Sequence, residues 1–146
     1  MEKPVIKTAL ICLALNIYFE ARDQPISGQI AVAQVVLNRI AHPRYPATIC
    51  DVVKQGPTRP SWKDKNIKIP IKHRCQFSWY CDGKSDKPKE LDAFRWATFI
   101  AYGVMQSDFT DYTNGATHYH STSVFPNWAL KEKKIAAIGD HVFYKY

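Results

Sequence analysis

One carboxylate, Glu20, stands in the run Asn16-Ile17-Tyr18-Phe19-Glu20-Ala21-Arg22 at the end of an apolar stretch. Ile6, Leu10, Leu13, Ala14 and Ile17 recur at helical spacing, and Glu20 lies three residues beyond Ile17 and seven beyond Leu13, on the same stripe. A carboxyl on an apolar face is poorly solvated. At a helix C-terminus it also meets the negative end of the macrodipole, and both effects favour the neutral acid. General-acid catalysis requires such a group. The competing role is structural, a salt bridge to Arg22 or another base.

The elements that would hold Glu20 follow from the pattern around it. Asp23-Gln24-Pro25 breaks the first helix, and Ser27 to Ile40 is apolar almost all round, which predicts a second, buried helix meeting the first at Glu20. Thr48 and Asp51 form a capping-box-like pair that opens a short helix to Lys54. Lys89 to Gln106 is a third long helix, with Phe94, Ala97, Ile100, Ala101 and Val104 on one stripe and Trp96 and Phe99 widening it. Val124 to Lys134 is a weaker helical pattern. Thr117 to Ser121 alternates and is expected to pair with His141 to Tyr146, the bend falling at Gly139-Asp140. Helices predominate and nothing supports a large sheet. The expectation is a mainly α (α+β) domain with a short antiparallel β ribbon near its C-terminus. At 146 residues, without repeat, low-complexity tract or linker, the chain is expected to form one domain over 1–146, with no separate wall-anchoring module.

Four blocks carry a resemblance. They are Tyr18-Phe19-Glu20-Ala21-Arg22 followed by Gly28-Gln29 and Val35-Val36-Leu37-Asn38-Arg39; Cys75-Gln76-Phe77-Ser78-Trp79 with Cys81-Asp82-Gly83; Gly115-Ala116-Thr117-His118-Tyr119-His120; and Ile138-Gly139-Asp140-His141-Val142-Phe143-Tyr144. In this order they resemble the SleB/CwlJ cell-wall hydrolase family, known from spore-cortex lysis and from phage and bacterial wall-degrading proteins. The resemblance implies a lysozyme-like, lytic-transglycosylase-like helical domain that cleaves the MurNAc–GlcNAc β-1,4 bond of peptidoglycan without a cofactor. It implies that Glu20 is the catalytic acid/base, that Gln76, Phe77 and Ser78 line the cleft, and that Tyr119 and His120 approach it from the ribbon. Strand alternation sets His118 and His120 on the face opposite Tyr119, so all three cannot enter one cleft. Tyr18, two residues before Glu20, is a candidate for stacking on a sugar ring. Asn38 is expected to make a structural contact at a helix end.

The count of carboxylates bears on mechanism. Ordinary glycoside hydrolysis uses two at a set separation, and Asp23, Asp51 and Asp82 are each expected to be structural. A single acid/base suffices for lytic transglycosylation, in which the sugar's own C6 hydroxyl replaces water. Alternatives are a hydrolysing muramidase, a zinc- or cysteine-dependent wall amidase, and a non-catalytic basic module that binds wall polymer or nucleic acid.

The chain carries a formal charge of +7, and residues 54–74 hold seven basic residues against the single acid Asp64. With Pro57, Pro60, Pro70 and Trp62, this stretch is expected to be an ordered basic loop, gripping an anionic polymer while Trp62 stacks on a sugar. Nucleic acid would also meet such a patch, but no recognition-helix, RNP-like or zinc-finger spacing accompanies it.

The four cysteines, Cys12, Cys50, Cys75 and Cys81, allow three full pairings. Cys12, inside the first apolar run, is expected to be a free, buried thiol. A Cys75–Cys81 disulfide would rigidify the loop that the resemblance sets beside the cleft. No metal site is expected, since His118-x-His120 supplies two ligands and Cys75-x5-Cys81 is not a usual ligand spacing. The N-terminal apolar run lacks a small-x-small cleavage site and falls short of the roughly 20 residues of a membrane span. The expectation is a monomer made in the cytoplasm without a cleavable signal peptide. The likeness to phage lysins implies release by a holin or other export factor, to act in the periplasm or wall on peptidoglycan strands.

Overall fold

The first apolar run folds as α1 (Pro4–Ala21) in a computed structural model that describes residues 4–146, with side chains from Lys7 onward. Ile6, assigned to the apolar stripe by its spacing, lies outside the described side chains. Leu13, Ala14 and Ile17 are fully or almost fully buried. The helix stops at the expected breaker, since Pro25 has no N–H to extend it and instead opens α2 (Ile26–Ile40), its carbonyl accepting from the N–H groups of Gly28 and Gln29. α2 is buried on nearly every side from Gly28 to Val36, as its all-round apolar sequence predicts.

α3 (Ile49–Val53) begins with the Thr48 hydroxyl accepting the Asp51 N–H, and α4 (Leu91–Met105) packs on α1 and α2. Val52, Val53, Ala97 and Ala101 join Leu13, Ile17 and Val36 in one apolar core. Each large aliphatic side chain taken out of water there contributes about 1.5–3 kcal/mol before entropy is counted. Trp96 and Phe99 do not widen the buried stripe of α4. They lie on its outer face, 60% and 73% exposed, because the face presented to α1 is narrow enough for Ala97, Ile100, Ala101 and Val104 to fill it.

The expected free thiol at position 12 is corrected. Cys12 and Cys50 form a disulfide across α1 and α3, their Cα atoms 5.3 Å apart, within bridging distance because α3 packs directly on that face of α1. Cys75 and Cys81 form the second disulfide, and no free cysteine remains among the described residues.

Within the basic stretch, expected as an ordered loop, β1 (Thr58–Pro60) pairs with β2 (Lys68–Pro70) as a short ribbon, and Trp62 in the connection is 81% exposed. The C-terminal region holds a three-stranded antiparallel sheet in the order β3 (His118–Ser121), β5 (His141–Lys145), β4 (Lys133–Ile138). Two expectations are revised here. The helix predicted over 124–134 is a single 3-10 turn, Asn127–Leu130, after which the chain becomes β4. The Gly139-Asp140 bend joins β4 to β5, so β3 pairs with the other side of β5. The central strand has two edges to satisfy, and the second pairs with Lys133–Ile138, which takes the last two residues of the predicted helix into a strand. Gly139 sits at φ 57°, and a Cβ there would collide with Gln24. Gln24 itself clamps the bend, donating to Asp140 Oδ2 (3.1 Å) and accepting from the Asp140 N–H (2.8 Å). The breaker after α1 thereby fixes the sheet beside Glu20. No helix among the described residues is long and apolar enough to cross a membrane.

Candidate active site

Glu20, in the last turn of α1, lies at the floor of a cleft of about 670 Å³ that it shares with Phe19, Ser78, Trp79, Lys87 and Glu90. A second depression of about 590 Å³ shares Phe19, Glu20, Arg22 and Glu90 with the first, so an open groove passes across the carboxyl on both sides. An extended polymer fits such a groove better than a small molecule would.

The Glu20 carboxyl has no ion pair among the described residues. Arg22, its nearest base in sequence, turns instead to Glu90 at the start of α4 and lies over the Tyr18 ring at 4.6 Å. Glu20 Oε1 accepts the Tyr119 hydroxyl hydrogen. Burial pushes the Glu20 carboxyl above its ordinary range; the Tyr119 hydrogen bond and then the Arg39 guanidinium oppose that shift without cancelling it. Tyr119 is pushed well above its own ordinary range, first by burial and then by the adjacent carboxylate, so its phenol stays protonated as a permanent donor. Arg39, 5% exposed, lies 5.1 Å from the ring centroids of both Tyr45 and Phe77 and donates Nε–H to the Thr117 carbonyl (2.8 Å). It thus ties the start of β3, and with it Tyr119, to α2.

The residues singled out by sequence divide. Ser78 joins Glu20 in the cleft, and Tyr119 reaches Glu20 from β3. Gln76 is exposed outside the cleft, its N–H spent on the Gln55 carbonyl. Phe77 is a core residue, 2% exposed beneath Arg39, and not part of the cleft wall. Tyr18 contributes to the wall but is also 2% exposed, with Phe19 and Phe94 at its edges, so it has no open face for a sugar. Its hydroxyl accepts the N–H groups of Lys89 (3.1 Å) and Glu90 (3.0 Å) and pins the far wall. His120 does not approach the cleft. β3 turns it to the opposite face, where Nε2 meets the Tyr144 hydroxyl (2.8 Å) beside Trp128. Trp62 does not line the cleft; it stands in the connection between β1 and β2.

Sequence reasoning missed Glu90, Arg22 as its partner, and the lysines of 84–89. The stacking of Phe19 on Trp79, with centroids 4.9 Å apart, was missed too. Only the mixed Lys/Asp/Ser composition before α4 signalled a wall there. Among the acids considered as a second carboxylate, Asp82 lines the cleft and accepts the Lys84 N–H (2.8 Å), Asp51 lies in the first turn of α3, and Asp23 sits in the breaker. With both cysteine pairs oxidised, no thiol is left among the described residues for nucleophilic attack.

A family model described as Cell Wall Hydrolase matches residues 23–144. The spore cortex-lytic enzyme of Halalkalibacterium halodurans is 27% identical over 132 residues, covering 90% of this chain and 33% of that protein. The spore cortex-lytic enzyme of Bacillus cereus is 26% identical over 135 residues, covering 91% and 42%. The chain therefore spans less than half the length of these curated relatives. Among solved structures, the catalytic domain of the germination-specific lytic transglycosylase SleB from Bacillus anthracis superposes with a TM-score of 0.67 at 21% identity, covering 99% of this chain and all of that one. The catalytic domain of the Bacillus cereus SleB protein gives 0.67 at 23%, covering 99% and 95%. These likenesses establish the fold.

Proposed function

Because the chain belongs to the cell wall hydrolase family, we propose that it cleaves the MurNAc–GlcNAc β-1,4 bond of peptidoglycan as a lytic transglycosylase, with Glu20 as the one acid/base. The observation that carries this reading is a single carboxyl at the floor of an open groove, free of any ion pair among the described residues and raised by burial, while Asp82 and Glu90 in the same cleft are engaged elsewhere. The fold neighbour from Bacillus anthracis, a germination-specific lytic transglycosylase, supports it.

Glu20 first donates its proton to the bridging oxygen, and the glycosidic bond breaks as positive charge spreads over C1 and the ring oxygen. The sugar's acetamido group stabilises that cation in place of a second protein carboxylate. Glu20, now a carboxylate, is held by the Tyr119 hydroxyl. It takes the proton from the C6 hydroxyl as that oxygen bonds to C1, giving a 1,6-anhydro end and restoring the acid. Tyr119 donates in both states, and the arginine field from α2 favours the charged one.

We assign Ser78 to the wall that meets the sugar hydroxyl or N-acetyl groups, and Trp62 to an outlying contact that stacks on a ring beyond the cleft. The proposed setting is a single, monomeric catalytic domain acting in the periplasm or wall after release by a holin or another export factor. Mass spectrometry of digested sacculi tests the reaction. Anhydro-MurNAc ends are expected; reducing MurNAc ends would replace this reading with a muramidase, and freed stem peptides with intact glycan would replace it with an amidase.

A further inference from the structure

The two lysine-rich stretches of the chain meet at Gly83, between the cleft-lining residues Asp82 and Lys84. The Cys75–Cys81 disulfide closes the loop between them, the His73 N–H donates to the Cys81 carbonyl (2.8 Å), and the Lys72 stem lies against Gly83. Gly83 is at φ 82°, a left-handed conformation that favours glycine, and the Lys72 stem passes over the side where a Cβ would stand. Beyond Gly83 the rim is held by its own turns. Asp82 Oδ1 takes the Lys84 N–H, Ser85 Oγ takes the Lys87 N–H (3.2 Å), and the Tyr18 hydroxyl takes that of Lys89.

A fixed backbone therefore presents the side chains of Lys84, Lys87 and Lys89, all exposed and all lining the cleft that holds Glu20. Of the acids beside them, Glu90 pairs with Arg22 and Asp82 caps the turn at Lys84, while Asp86 does not line the cleft. None of the three ammonium groups has a carboxylate within ion-pair distance among the described residues. An ammonium is a compact, strongly hydrated point charge, so a neutral sugar gains little from it while a mobile carboxylate gains over the full Debye length of about 8 Å at physiological salt.

We infer that Lys84, Lys87 and Lys89 form a cationic track along the cleft that selects glycan strands bearing free carboxylates on their peptide substituents over neutral strands. This inference rests on the proposed glycan substrate but not on the chemistry at Glu20.

Co-sedimentation tests it, using sacculi with and without teichoic acid, each either native or with their carboxyls converted to neutral amides by carbodiimide and ethanolamine. At low salt the wild type is expected to bind native sacculi roughly tenfold more tightly than amidated ones, the gap closing as salt is raised. The combined variant Lys84→Gln, Lys87→Gln, Lys89→Gln is expected to lose that preference. Equal binding of the wild type to both forms, or a triple variant that keeps the wild-type preference, overturns the proposal. So does binding that follows teichoic-acid phosphate whatever the state of the carboxyls. Preference for native sacculi without release of glycan fragments would leave the track standing and remove the catalytic reading; cleavage without preference would remove the track alone.

Discussion

Tyr119 donates its hydroxyl to Glu20 across 99 positions of sequence, from a strand in the C-terminal sheet to the last turn of the first helix. The bond binds one oxygen of the carboxyl and leaves the other to carry the transferable proton. It also opposes the rise in proton affinity that burial imposes.

Removing that donor should move the acid in a known direction. Tyr119→Phe keeps the ring but deletes a hydrogen bond that favours the carboxylate, so Glu20 titrates higher still and the alkaline limb of the kcat/KM profile shifts to higher pH. Activity at the optimum is expected to fall roughly ten- to hundredfold, the scale of one hydrogen bond to a charged group. A profile that keeps its wild-type limbs would count against the role given to Tyr119.

Burial of Glu20 has a stability consequence with a definite sign. The folded chain binds this proton more tightly than the unfolded one, so the contribution is fully present below the ordinary carboxylate range and is lost as pH rises through the folded pKa of Glu20. Glu20→Gln stays neutral and still accepts from Tyr119. Calorimetry should find the variant more stable than wild type near about pH 7, with a smaller gain near about pH 4. A gain independent of pH would show that the carboxyl is not held neutral.

Tyr18 is buried and holds the cleft wall through its hydroxyl. Tyr18→Phe preserves the core packing but leaves the Lys89 and Glu90 N–H groups without their acceptor, at a cost of about 1–2 kcal/mol. Faster hydrogen exchange at those two amides and a raised KM are expected; unchanged exchange would mean that the wall is held in place by other contacts.

Cys12–Cys50 closes a separation of 38 residues between α1 and α3. Replacing both cysteines with alanine is expected to lower stability by about 3–4 kcal/mol, on the chain-entropy account of that loop. Denaturant unfolding of the two proteins, both with Cys75–Cys81 intact, measures it; a change under about 1 kcal/mol would contradict that account.

Legibility in the sequence followed locality. The 3.6-residue period gave α1 and α4, the all-round apolar run gave α2, Pro25 marked the break, and Thr48 capped α3, because each signal lies within a few residues of its effect. Asn38 reads as a helix-end contact and donates to Asp111, Thr113 and the Ala116 carbonyl. The misreadings all depend on distant partners. The end of the helix expected over 124–134 is strand because β5 pairs there on its second edge, Cys12 is oxidised because Cys50 arrives opposite it, and the Tyr18 hydroxyl is used by Lys89 and Glu90. Glu20 itself was legible from its apolar stripe. Its separation from Arg22 was not, since Glu90 draws that guanidinium away across the chain.

The central claim is that one carboxyl performs both proton transfers, and Glu20→Gln tests it most directly. Soluble muropeptides released from purified sacculi would be quantified for wild type and variant, with circular dichroism establishing that both are folded. Release is predicted to fall by about 10²–10⁴-fold, the scale of a lost general acid, with sacculus binding retained. A folded variant that still releases anhydro-muropeptides at near the wild-type rate would contradict the account.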